Sequence, residues 1–119
     1  MLISKVSEKY DITPDTLRYY EKVGLITKVP RNSNGVRDYD EKSCKKVEFI
    51  KCMRGAGVEI ETLIKYMKLL EEGKSTAKLR KELLEEQKNK LIKKRQMIDE
   101  TLVKLDFKIE IYNDILLRK

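Results

Sequence analysis

Arg18, Tyr19 and Tyr20 stand in a row inside the stretch TPDTLRYYEKVGLI, residues 13–26. A guanidinium fork and phenol hydroxyls suit phosphate oxygens, and contacts of that kind set the register of a protein on a duplex rather than read its sequence. The same combination returns downstream in Lys28, Arg31, Arg37 and Tyr39. Each residue alone has a plainer reading. An isolated Arg18 is an ordinary solvated side chain, and Tyr20, at helical spacing from Leu17, fits a core as well as a ligand surface. The other reactive side chains are two cysteines, Cys44 and Cys52, too far apart for a CxxC pair. There is no histidine, so a four-ligand structural zinc site is not available within one chain. No phosphate-binding glycine loop and no carboxylate pair at a catalytic spacing is present. The expectation is a protein that is not an enzyme and uses no metal and no cofactor.

The elements that must position these residues can be read from caps and breakers. The first helix is expected to start at a Ser4 cap, run to about Tyr10 and turn Ile3 and Val6 inward. Thr13 then caps a second helix, with Pro14 at its first position, Asp15 at the positive end of the dipole and Gly24 as a left-handed stop. Two short helices joined by a tight turn form a helix-turn-helix candidate, whose second helix enters the major groove through its N-terminal half. That half carries Thr16, Arg18 and Tyr19. Residues 26–39 read as a small hairpin or wing, two extended runs at 26–31 and 36–39 around the turn signal NSNG, with Pro30 acceptable only on an edge. Asp40 caps a third helix over 41–54, which ends at GAG, and a fourth covers 60–72 with an apolar stripe of Leu63, Ile64, Met67 and Leu70.

From Lys74 to Lys119 the chain contains no Gly and no Pro. Ser75 or Thr76 is the expected cap of one long helix. Its seam, Leu84, Leu91, Ile98, Leu102, Leu105, Ile109, Tyr112 and Leu116, alternates steps of four and three, with Lys88 and Arg95 interrupting the first half. A helix of about 43 residues would extend about 65 Å, too far for a small lobe to cover, so a second copy is the expected partner of the seam. A second apolar line, Val103, Phe107, Ile111 and Ile115, lies on the other side of the same helix. The division is therefore 1–73 as a DNA-binding domain and 74–119 as a dimerisation helix. The formal charge of +7 favours anionic partners, nucleic acid first, although most of the excess lies in the C-terminal third. No segment has the uninterrupted apolar length of a membrane span or signal sequence, so a cytoplasmic protein without a membrane partner is expected.

TPDTLRYYEKVGLI, followed by NGVRDYD and VEFIKCMRGAGV, resembles the MerR family of bacterial transcription regulators. The resemblance covers essentially the whole chain. It implies a mainly α fold, a winged helix-turn-helix followed by a long antiparallel coiled-coil dimerisation helix. It also implies a homodimer on a pseudo-palindromic double-stranded promoter operator, which bends and untwists a long spacer so that RNA polymerase, engaged indirectly, can start. Carried over residue by residue, Thr16, Arg18 and Tyr19 fall where the recognition helix meets DNA, and Arg37 and Tyr39 where the wing grips phosphate. Lys28 and Arg31 join the wing set on charge alone, and Tyr20 stays divided between DNA and core.

The chain departs from the metal-sensing branches: Ser75-Thr76 stands where they carry a cysteine, and the sequence ends at Lys119 without their cysteine-bearing loop. FIKCMRGAG instead resembles the aldehyde-responsive, AdhR/NmlR-like branch, which implies Cys52 as a thiol open to electrophiles. Only an accessible thiolate adds quickly to a carbonyl carbon, and the opposing reading of Cys52 is a small packing residue. Cys44 is expected to be exposed and incidental. Two further readings remain: a regulator of this family switched by a small apolar ligand bound without a covalent bond, and a basic coiled-coil adaptor with no sequence preference.

Overall fold

The computed structural model describes residues 1–118. Five α-helices follow one another: α1 (Ile3–Tyr10), α2 (Pro14–Lys22), α3 (Glu41–Gly55), α4 (Ile60–Glu71) and, after a 3-10 turn at Lys74–Thr76, α5 (Ala77–Leu117). The chain forms two compact units, Met1–Leu83 and the part from Leu84 onward.

The start of α1 differs from expectation. Leu2, not Ser4, is the N-cap, with extended backbone and no side-chain cap bond. Leu2 pairs with Asp38 in an antiparallel bridge, which supplies the extended geometry that a capping serine would otherwise provide. The helix stops at Asp11, whose φ of 53° is left-handed, a region aspartate tolerates better than most residues.

α2 is built as its cap signals require. Thr13 Oγ1 accepts the Thr16 N–H at 3.2 Å, and Pro14 occupies a position that has no helical N–H to lose. Gly24 turns the chain with φ 80°. The N–H groups of Leu25 and Ile26 both donate to Tyr20 O, at 2.9 and 3.1 Å, and this turn delivers both side chains to the core. There they join Val6, Leu17, Val29, Val47 and Ile50, all essentially solvent-free.

The wing contains no β-strand among the described residues; the two expected runs reduce to one antiparallel bridge, Arg31 with Arg37. The cause is local. Pro30 has no N–H to return to the facing run, and the Val29 N–H, on the outer side of its run, is taken by a side chain, Glu21 Oε2, at 3.1 Å. Backbone pairing therefore ends with the one bond that Asp38 N–H donates to Pro30 O, at 2.7 Å. The tip is held instead by Asn32, whose Oδ1 accepts from Asn34 N at 2.9 Å and Val36 N at 3.1 Å, while Gly35 takes the left-handed position.

α3 begins at Asp40, whose carboxylate accepts the Ser43 N–H at 2.8 Å. That backbone bond, with the Ser43 side chain, holds the Asp40 carboxyl below its ordinary range. At the joint between α4 and α5, Thr76 stands directly before the first residue of α5. The Thr76 side chain is buried and its hydroxyl turns backward, within bonding distance of Leu69 O and Gly73 O. In α5 no residue is fully buried.

Candidate nucleic-acid interface

The surface formed by α2 and the wing is organised around one carboxylate. Glu21 lies on α2, one turn beyond Leu17 and Arg18, and is 12% exposed. Its Oε1 accepts from Arg37 Nε at 2.6 Å. Its Oε2 accepts the Val29 N–H, and Arg31 Nη2 stands 3.5 Å from the same oxygen. Burial alone would raise the pKa of this carboxyl. The bonds from Arg37 and Val29, together with the two arginine charges, outweigh that effect and hold it below the ordinary carboxylate value. The two wing arginines, on facing sides of the hairpin bridge, therefore converge on a single group supplied by the neighbouring helix.

Arg18 and Tyr19 face solvent. Arg18 Nη1 bonds Asp15 Oδ1 at 2.9 Å, but both partners are well exposed, so the pair is weak and exchangeable in water. Tyr19 is 48% exposed. Thr16 is half-buried and its hydroxyl is shared with Thr13 at 2.8 Å. Lys28 and Arg31 are exposed and Arg37 is half-buried.

Two tyrosines lie elsewhere than the surface. Tyr20 belongs to the core, its ring tilted against that of Tyr19 at 6.5 Å. Tyr39, expected on the phosphate-gripping face, is 1% exposed, and its hydroxyl is buried with no hydrogen-bond partner. Burial raises its pKa, and Arg37, Glu21, Arg31 and Arg18 all lie within electrostatic reach of the phenol. Arg37 and Tyr39, two apart in an extended run, share one face, which is half-buried at Arg37 and fully buried at Tyr39 where the chain enters α3.

Sequence reasoning missed Glu21, because a glutamate on a charged helix is ordinarily solvated. Its signal was present in the pattern, a lone acid one turn after Leu17 and between two groups of basic residues. It also missed Lys46 of α3, whose Nζ donates to Thr27 Oγ1 and ties that helix to the root of the wing. Burial, then the charge of Lys42, lowers the Lys46 pKa.

The cysteines sit differently from expectation in one respect. Cys52 is exposed, while Cys44 is partly covered rather than exposed. Of the cations near Cys52 in sequence, Arg54 Nη1 donates to Val58 O at 2.9 Å and Lys45 pairs with Glu41 at 3.4 Å. A separate cleft of about 290 Å³ opens between α3 and α4, with Phe49, Tyr66, Met67 and Leu70 as its floor and Lys42, Lys45 and Lys46 at its rim. Among the described residues no cluster of His, Cys, Asp and Glu has the grouping of a metal site, and no helix is long and apolar enough to cross a membrane.

The α5 seam is open to solvent from Ile98 onward, as are Val103, Phe107, Ile111 and Ile115 on the other side; Leu91 alone among the expected seam residues is partly covered. Exposed apolar rows of this length mark an interaction surface.

This architecture has known counterparts. Residues 1–70 match the model of the MerR HTH family regulatory proteins. The HTH-type transcriptional regulator AdhR of Bacillus subtilis (strain 168) is 52% identical over 83 residues, which cover 70% of this chain and 59% of AdhR. The chain thus spans less than two thirds of that relative's length. Among solved structures, a MerR family transcriptional regulator from Listeria monocytogenes superposes with a TM-score of 0.90 at 41% identity, over 95% of this chain and 86% of the other. HiNmlR, a MerR family regulator lacking the sensor domain and bound to promoter DNA, superposes with a TM-score of 0.88 at 25% identity, over 95% and 90%. These relatives are regulators, not enzymes. With its helix-turn-helix, wing and long terminal helix, the chain belongs to the MerR family of helix-turn-helix transcriptional regulators.

Proposed function

We propose that this chain is a homodimeric regulator that binds double-stranded promoter DNA with residues 1–73 and pairs with a second copy through residues 74–119. The observation that carries the reading is the convergence of Arg31 and Arg37 on Glu21 of α2, which puts the wing cations beside the exposed Arg18 and Tyr19 of the recognition helix. Thr16, Arg18 and Tyr19 meet the groove edge and its phosphates, and Lys28, Arg31 and Arg37 meet the flanking backbone. Tyr20 and Tyr39 support this face from the core. HiNmlR, of similar fold, is bound to promoter DNA, which supports DNA as the ligand.

Regulation follows by deformation. Two heads held apart by paired α5 helices bend and untwist a long promoter spacer, and RNA polymerase engages the realigned elements. DNA deformation of this kind generates specificity where no base is touched. Cys52 is the proposed inducer site. Its thiolate adds to the carbonyl carbon of a reactive aldehyde, and the oxygen takes up a proton to give a hemithioacetal. The exposure of Cys52 supports this reading over a packing role.

Footprinting on the region upstream of the gene tests the DNA reading. A protected dyad across the promoter spacer is expected for the wild type and is lost in Arg18→Ala; absence of protection in the wild type sinks it. In vitro transcription from the same promoter, with and without formaldehyde, tests the thiol. Cys52→Ser is expected to bind DNA and fail to respond, and a full response from that variant removes Cys52 as sensor while leaving DNA binding intact.

A further inference from the structure

The carboxylate of Glu21 is placed where a DNA-binding surface would ordinarily carry none. It is the least exposed member of its cluster, at 12% against 27% for Arg37 and 43% for Arg31. One of its oxygens is also held by a backbone group, the Val29 N–H, so the carboxylate has an anchor besides the two arginines. Arg37 is gripped through Nε, one edge of the guanidinium fork, and the η nitrogens remain to carry a second acceptor. An acid in this position also subtracts charge from the wing, which opposes indiscriminate attraction to phosphate.

We propose that Glu21 is a specificity-determining positioning residue: it locks the wing cations in register with the recognition helix and weakens binding to DNA of the wrong shape. The reasoning follows from which element supplies the acid. Glu21 lies on the same helix as Thr16, Arg18 and Tyr19, so a wing pinned to Glu21 reaches only phosphates correctly placed for the groove that α2 occupies. Released arginines, on flexible stems, would follow any phosphate. The inference rests on α2 and the wing being the DNA-binding face.

The test compares two probes, a duplex enriched by the wild-type protein from a random-sequence pool and a scrambled duplex of equal length and composition, each titrated over a series of salt concentrations. Glu21→Gln keeps the size of the side chain and removes its charge. Affinity for the scrambled duplex is expected to rise about threefold, with a salt slope steeper by about one ion. Affinity for the enriched duplex is expected to fall about tenfold, so the specificity ratio collapses. A purely structural role would weaken both probes together, and that result, or an unchanged ratio, overturns the proposal. Should Glu21→Gln not fold, judged by circular dichroism, Arg37→Lys decides. It keeps the charge but lacks the fork needed to hold carboxylate and phosphate at once, so the ratio must fall with scrambled binding unchanged; an unaltered ratio again overturns the proposal. If the wild type enriches no sequence, the DNA-reading function itself is wrong and this inference falls with it, an outcome distinct from wild-type preference with an unaffected variant.

Discussion

Arg80 reaches back one helical turn to Thr76: its Nε donates to Thr76 Oγ1 at 3.0 Å, and its Nη2 donates to Gly73 O at 3.0 Å. The buried hydroxyl also lies against Leu69 O, so the end of α4 and the first turn of α5 are fastened through one threonine. Thr76→Val keeps the shape and leaves the Arg80 donor and the α4 carbonyls without this partner. A loss of about 1–3 kcal/mol is expected, measured as a lower urea midpoint with unchanged slope.

Tyr39 gives the opposite expectation. Its ring fills the core, but its hydroxyl is buried without a partner. Removing an unsatisfied polar atom relieves desolvation, so Tyr39→Phe should leave stability unchanged or raise it by about 1 kcal/mol. Tyr39→Ala should cost about 3–5 kcal/mol through the cavity it opens. Chemical denaturation of both variants checks the pair, and Tyr39→Phe should retain DNA affinity.

Acidification should release the wing before it unfolds the helices. The Glu21 carboxyl is held below its ordinary value of 4.5 in the folded protein. Its contribution is therefore complete above that pH and disappears as pH falls through the lower folded value. Exchange protection of the Val29 N–H and of the Arg37 Nε–H, followed by NMR from neutral pH downward, should persist through 4.5 and fade only as pH falls through the lower folded value. In Glu21→Gln the same step should be absent.

The seam of α5 makes the fourth prediction. Leu102 and Ile109 are both more than half exposed and share one face at heptad spacing. Replacing both by Glu should convert a dimer to a monomer in sedimentation velocity. The far-UV helical signal should fall as well, because a helix without a packed face keeps only its intrinsic propensity.

The parts of this fold that were legible in the sequence are those fixed by local chemistry. Thr13, Pro14 and Gly24 bound α2 because a cap oxygen, a locked φ and a left-handed turn act within a few residues of themselves, and Asp40 sets α3 in the same way. The illegible parts depend on partners remote in sequence. The start of α1 is set by the pairing of Leu2 with Asp38, which no local pattern announces. The wing runs carry β-type residues, yet their ladder stops where Pro30 accepts the Asp38 N–H and has no donor to return. Tyr39 looked like a surface phenol by type, and only the packing of the wing root decides that it is buried. Of the candidate site, Arg18, Tyr19, Lys28 and Arg31 are exposed as expected, whereas Glu21 was invisible because its role is defined by two arginines 10 and 16 residues away.

The occupied Val29 N–H has one more consequence. An extended segment at the edge of a fold normally displays a row of free donors on which a foreign strand can template, and small proteins must guard against it. Here Pro30 contributes no donor, and the neighbouring one is capped from within by Glu21. This part of the wing therefore presents two fewer free donors to a foreign strand, one of them because of the side chain that also orients the arginines.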